Sequence, residues 1–130
     1  MTIQNPVELV NSYPQVSLTV DCVIFGFDDN ALQVLLIKSD LDSFENQLSL
    51  LGDIVKIDEH LDKAATRVVK QRTGMDHLYL EQIHTFSDVN RHPGGRVITT
   101  VYASLLNCKD VHLKILDNDI KWHNINDIAS

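Results

Sequence analysis

The residues best suited to chemistry lie in one stretch, Gly52 to Met75, where carboxylates precede a helical pattern that carries arginines. Asp53 and Glu59 come before that pattern, and Arg67 and Arg72 fall within it. Carboxylate oxygens are ligands that Mg²⁺ prefers, whereas the planar fork of arginine suits phosphate and carboxylate groups. The stretch is therefore a candidate either for metal-dependent chemistry or for binding an anionic ligand.

A single amphipathic helix must position these side chains. The pattern of residues 60–72 predicts one buried face, because five apolar residues recur at the i, i+3, i+4, i+7, i+8 spacing. Acidic Asp58 and Glu59 stand at its start, where negative charge suits the exposed amides, and Gly74 is the expected stop signal. The five apolar residues are Leu61, Ala64, Ala65, Val68 and Val69.

The same stretch resembles a Nudix box, whose pattern is a glycine, five residues, a glutamate, seven residues, then Arg-Glu-apolar-x-Glu-Glu-x-Gly-apolar. The spacing matches without insertion, although Asp53 stands at the pattern glycine, next to Gly52. The resemblance implies that the matched glutamate and arginine pair across the junction of loop and helix. The alternative is an ordinary amphipathic helix that has favourable capping residues and no Nudix-type function. The five matching positions are Glu59, Arg67, Val69, Gly74 and Met75.

The three helix glutamates of the box are replaced here by Val68, Gln71 and Arg72. In the family those carboxylates bind magnesium, which bridges diphosphate oxygens and activates a water. Valine offers no donor atom, glutamine offers a neutral carbonyl, and arginine brings positive charge to the place of the cation. We therefore expect no metal, no cofactor and no catalysis. Mg²⁺ is expected as a cofactor only under the alternative that the chain is a divergent hydrolase.

Residues 76–88 and 91–97 resemble one branch of that family, the Nudix-related transcriptional regulators. Those proteins join the Nudix domain, used as a small-molecule sensor, to a C-terminal winged-helix DNA-binding domain. Their effectors include ADP-ribose-type nucleotides and the pentose arabinose. The resemblance covers roughly residues 17–127 and implies a bacterial effector domain that binds a sugar or nucleotide-sugar. It also implies a homodimer that meets DNA only through a C-terminal domain outside these 130 residues.

The predicted fold is α/β (α+β), a Nudix-like mixed β-sheet sandwiched between helices, with residues 1–16 as a lead-in and 17–130 as the domain. Strands are predicted at 17–27, 32–38, 78–86 and 96–106, and the first two form a hairpin. SLLGDIVK is predicted to be extended, with Gly52 at a bend. HLKIL is a possible further strand, residues 1–14 hold a short helical turn, and Trp122 lies in a polar tail.

Composition narrows the classes of function. A net charge of −7 repels nucleic-acid backbones, so this segment is not expected to touch DNA itself. Two distant cysteines fit a reduced compartment, and Cys22 is expected to be buried. There is no signal-peptide pattern and no apolar run long enough for a membrane span. We expect a cytoplasmic protein with no membrane partner.

Several polar residues are candidates for ligand contact. Arg91 and Arg96 bracket a turn-forming loop, where they bind a ligand, stay solvated or pair with Asp88. For Arg96 the family pattern adds a dimer interface as an alternative. Arg72 either projects toward the position at which the family binds magnesium, or interacts with the helix dipole as a cation near the C-terminal end. Asp53 contacts sugar hydroxyls or shapes the turn after Gly52.

Asp21 and Lys38, on neighbouring strands, either point into the cleft or pair with each other on a solvated face. The rival function is a divergent Nudix pyrophosphohydrolase that recruits other carboxylates, among them Glu59, Asp58 and Glu81. A third possibility is an interaction module with a filled cleft. The six histidines lack metal-ligand spacing, so no metal centre is expected from them.

Overall fold

The computed structural model describes residues 15–38, 47–89, 95–110 and 120–128, and its central strand is β1, Ser17–Phe27. Alternating buried residues along β1, such as Val20, Cys22 and Ile24, face one side of the sheet. The next strand, β2, Leu32–Lys38, pairs with β1 antiparallel at the hairpin end only, between residues 25–27 and 32–34. Both strands and the hairpin are as predicted.

Within the described residues, the strands after the hairpin complete a seven-stranded mixed sheet. They are β3 (Leu48–Ser49), β4 (Leu51–Ile54), β5 (Glu81–Phe86), β6 (Val97–Asn107) and β7 (Ile120–Asn124). β6 runs parallel to β1 over its whole length, and β5 pairs antiparallel with β6. β4 pairs with the first half of β1, β3 pairs with the end of β2, and β7 pairs with the other edge of β2.

The helix α1, Leu61–Thr73, packs on the face of the sheet to which Val20 and Cys22 point. Its buried residues include Ala64, Ala65, Val68 and Val69, as the spacing predicts. The helix ends at Gly74, whose φ of 75° is the left-handed conformation that glycine adopts at low cost. The expected mixed sheet with a packed helix is confirmed.

Among the described residues, α1 is the one helix longer than a single 3₁₀ turn and it covers one face of the sheet, while a helix on the other face stays a prediction. Three predictions about the elements need correction. Residues 78–80 precede β5 instead of belonging to it. Gly52 lies within β4, paired with Asp21, instead of at a bend. Trp122 lies in β7 and packs against the core, so the segment is not a polar tail.

The HLKIL segment, the turn expected in residues 1–14 and Arg91 lie outside the described residues. None of the helical segments in the described part of the chain has the length and hydropathy that a membrane span requires.

Candidate functional site

A network of hydrogen-bonded charges surrounds Arg67, on the second turn of α1. Arg67 Nε donates to Glu59 Oε2 at 2.7 Å, and Nη2 donates to Glu59 Oε1 at 3.0 Å. Nη1 donates to Asp53 Oδ2 at 3.0 Å and to Gln71 Oε1 at 3.3 Å, and Nη2 also reaches the carbonyl oxygen of Ile54 at 2.9 Å. We call Arg67, Glu59, Asp53 and Gln71 the Arg67 cluster. The expected pair of Glu59 and Arg67 is formed.

Local backbone geometry explains why Glu59 meets Arg67. Residues 56–59 form a tight turn in which the Glu59 amide donates to the Lys56 carbonyl at 3.1 Å, and the Lys56 amide donates to Glu59 Oε1 at 3.1 Å. The helix begins two residues after Glu59, and His60, its first flanking residue, forms no side-chain cap bond. Glu59 thus links the turn to the second turn of the helix through Arg67.

Mutual hydrogen bonding shifts both charged groups toward their ionised forms. The bond from Arg67, assisted by the Lys56 amide, lowers the pKa of Glu59 from 4.5 to about 2 against an opposing effect of burial. The bonds to Glu59 and Asp53 raise the pKa of Arg67 above its usual value. Glu59 and Arg67 therefore both carry their charges at neutral pH.

A cleft of about 230 Å³ lies beside this cluster, and we call it the box cleft. Val68 is 1% exposed and belongs to the hydrophobic core, so it closes one side with hydrocarbon. Arg72 follows Val68 by one turn and therefore lies on the same side of the helix. Every lining residue except Gly52 occupies a position of the Nudix-like pattern: Gly52, Asp53, Val68, Gln71 and Arg72.

The donor atoms of the box cleft do not fit a divalent magnesium ion. Mg²⁺ demands octahedral oxygen ligands, commonly from carboxylates. Asp53 is the one carboxylate that lines the cleft among the described residues, and Arg67 already binds it. Val68 has no donor, and Arg72 adds a positive charge. No group of three or more metal-binding side chains occurs within the described residues.

Asp21 and Lys38 are placed differently from the expectation that they could pair. At their level β1 pairs with β4 and β2 pairs with β3, so other strands separate the two residues. The Asp21 carboxylate instead covers Gly52, because a Cβ built on Gly52 would lie 2.1 Å from Asp21 Oδ1. A side chain at residue 52 would therefore have to displace the Asp21 carboxylate, and Lys38 stays exposed at the end of β2.

Glu81 does not join the box cleft. It starts β5 and lines a separate groove of about 340 Å³ with Phe25, Tyr79, Ala103, Ser104 and Leu105.

Arg96, just before β6, has a buried Nη1 atom without a hydrogen-bond partner among the described residues. A buried donor without an acceptor is uncommon, so this atom calls for an explanation.

Sequence reasoning missed a second anchor of the helix. The Tyr102 hydroxyl donates to Asp62 Oδ1 at 2.5 Å and lies 3.5 Å from Gln82 Oε1. Burial raises the pKa of Tyr102, and the bond to Asp62 adds to that effect. The alternation along β6 indicates that Tyr102 is buried, but no local pattern points to a partner 40 residues away.

Comparison with known proteins relates this chain to a group of transcriptional repressors. No family model matches the chain. The ADPR-responsive transcriptional repressor NtrR of Acinetobacter baylyi is 35% identical over 101 residues, which are 76% of this chain and 40% of the repressor. The chain thus spans about 40% of the length of this curated relative.

Solved structures give the same relationship. The Nudix domain of Shewanella oneidensis NrtR, complexed with ADP ribose, matches with a TM-score of 0.77 and 26% identity, over 96% of this chain and 86% of that domain. NrtR of the same organism complexed with a 27mer DNA matches with a TM-score of 0.75 and 29% identity, over 85% of this chain and 52% of that protein. The chain is therefore a Nudix domain related to NrtR.

Proposed function

We propose that this chain is the effector-binding domain of a bacterial transcriptional repressor, that ADP-ribose is its ligand, and that it binds this ligand without hydrolysing it. The single observation that carries the proposal is the match over 96% of the chain to a Nudix domain complexed with ADP ribose. ADP-ribose is favoured over arabinose because the named relatives are ADPR-responsive or complexed with ADP ribose.

The charges of the box cleft support a ligand that carries phosphate. Arg72 brings a second cation to the cleft, so that Arg67 and Arg72 together balance the negative charges of Asp53 and Glu59. An anionic ligand therefore meets less repulsion here than the net charge of −7 suggests. Asp21, Lys38, Glu81, Arg91 and Arg96 remain predicted ligand contacts.

The arrangement of carboxylates also supports binding over hydrolysis. The hydrolase alternative needs acidic groups that converge on a metal, yet Asp53 and Glu59 are bound to Arg67 and Glu81 lies in a different groove. Asp58 is exposed and does not line the box cleft. We therefore propose no step through magnesium.

Isothermal titration calorimetry of the 130-residue chain with ADP-ribose in EDTA tests the proposal. We expect a single-site isotherm, with no heat from arabinose and weaker binding of AMP and ribose 5-phosphate. Chromatography of ADP-ribose incubated with the chain and MgCl₂ should show no AMP above the protein-free control. A flat isotherm removes ADP-ribose as the ligand, and magnesium-dependent turnover establishes the hydrolase alternative.

We further propose that the protein works as a homodimer and that DNA is bound by a domain outside this chain. The DNA-complexed relative is about twice as long as the part this chain matches. Sedimentation equilibrium with and without ADP-ribose tests the dimer. The Arg96→Gln variant should bind ADP-ribose more weakly if the ligand supplies the acceptor for the buried Nη1 atom, and should dimerise more weakly if the partner subunit supplies it. A monomer at all concentrations would contradict the dimer for this domain.

A further inference from the structure

We propose that Arg72 contacts the diphosphate group of the ligand directly and supplies the positive charge that a divalent ion would otherwise supply. This inference rests on the proposed function, because it takes ADP-ribose as the ligand. It goes further by assigning the box cleft as a metal-independent diphosphate subsite and by naming the residue on which its affinity depends.

The geometry of the cleft points to Arg72. Val68, Gln71 and Arg72 all line it, and Val68 is an apolar wall that excludes water from one side. A guanidinium beside such a wall is only partly hydrated, so its bonds to an oxyanion are stronger than in bulk water. Asp53, on the opposing strand β4, is already paired with Arg67 at 3.0 Å, which reduces its repulsion of an anion.

The end of the helix makes a cation necessary at this place. Arg72 lies in the last turn of α1, where unpaired carbonyl groups give a partial negative charge that repels phosphate. The other basic residue of this turn, Lys70, does not line the cleft. Arg72 is thus the basic residue of the last turn that lines the cleft.

A purely structural role for Arg72 makes a different prediction. A cation that only balances the helix dipole would affect the free energy of unfolding and leave ligand affinity unchanged. Lys63 provides the matched control, because it is an exposed cation on the same helix and does not line the cleft. Each variant removes one positive charge: Arg72→Gln removes it inside the proposed subsite, and Lys63→Gln removes it outside.

The experiment measures ADP-ribose binding by calorimetry in EDTA for the wild type and these two variants, with thermal melts to verify folding. We expect Arg72→Gln to weaken binding about 10- to 100-fold, as for the loss of a charge-assisted hydrogen bond, and Lys63→Gln to change it less than about twofold. Adding Mg²⁺ should leave the wild-type affinity unchanged. Equal affinity of Arg72→Gln and wild type overturns the inference.

A second measurement keeps the inference testable if Arg72→Gln does not fold. Inorganic pyrophosphate should compete with ADP-ribose for the wild-type chain in EDTA, whereas free ribose should not, and pyrophosphate without effect overturns the subsite. If the wild type binds no ADP-ribose at all, the proposed function fails. If it binds ADP-ribose but neither Arg72 nor pyrophosphate matters, only the present inference fails.

Discussion

The Arg67 cluster and the box cleft occupy adjacent turns of one helix, yet they differ in how their residues are used. In the cluster, each functional atom of Arg67 has a protein partner, and Glu59 is held by both the turn and the helix. In the cleft, the Val68 side chain is part of the hydrophobic core, and Gln71 and Arg72 line the opening. The contrast shows that one helix supplies both a closed network of bonded charges and a cleft with a hydrocarbon wall.

The difference has a physical basis in what each region contributes to stability. Arg67 and Glu59 have side chains that are 16% and 13% exposed, so separating them leaves charges partly buried without partners. Val68 carries no charge that would need a partner and contributes packing instead. The cluster thus stabilises the fold through paired charges, and the cleft wall stabilises it through buried hydrocarbon.

Val68→Glu is expected to have the largest effect, because it restores a carboxylate at a position that is now 1% exposed. The buried charge should lower the free energy of unfolding by about 3 kcal/mol in EDTA, as measured by urea denaturation. Gln71→Glu, on the exposed side of the same helix, is the control and should change it by less than about 0.5 kcal/mol. Similar values for both variants would mean that the cleft wall is not part of the core.

Arg67→Met tests the cluster itself. It removes bonds to Glu59, Asp53 and the Ile54 carbonyl, and should lower the free energy of unfolding by about 2 kcal/mol, since bonds to charged groups are each worth more than neutral ones. Urea denaturation at neutral pH provides the measurement, with exposed Lys63→Met as control. If the two variants were equally stable, the cluster would be a solvated ion pair without a structural role.

The helix and its supporting pair were predictable because their signals are local. The spacing of Ala64 and Val68 defines a buried face, Gly74 marks the end, and Glu59 and Arg67 are only eight residues apart. The long strands β1 and β6 were equally clear, because both are rich in β-branched residues.

Features that depend on distant parts of the chain were not predictable in the same way. β7 resembles a tail because Lys121 and His123 alternate with Ile120 and Trp122 over only five residues, and its pairing with β2 cannot be read locally. Gly52 suggested a bend, but it lies within β4, where the Asp21 carboxylate of another strand occupies the space that a side chain would fill.

Tyr102→Phe sharpens the comparison by testing the anchor at the start of the helix. The change removes the hydroxyl that donates to Asp62 and keeps the ring in the core, so the expected loss is about 1 kcal/mol of unfolding free energy. Tyr79→Phe is the control, because Tyr79 is 76% exposed and should show no change. Equal stability of the two variants in urea would show that the bond to Asp62 does not hold the helix.

The pH dependence of stability separates Glu59 from the other carboxylates. Its pKa is lowered by Arg67 from 4.5 to about 2 in the folded chain, so its contribution is fully present above pH 4.5 and is lost as the pH falls to about 2. The difference in urea midpoint between wild type and Glu59→Gln should therefore be constant from pH 7 to 5 and shrink between pH 4.5 and 2. Glutamine cannot titrate, so the shrinkage belongs to Glu59, and a difference that stays constant down to pH 2 would show that Arg67 does not hold Glu59 ionised.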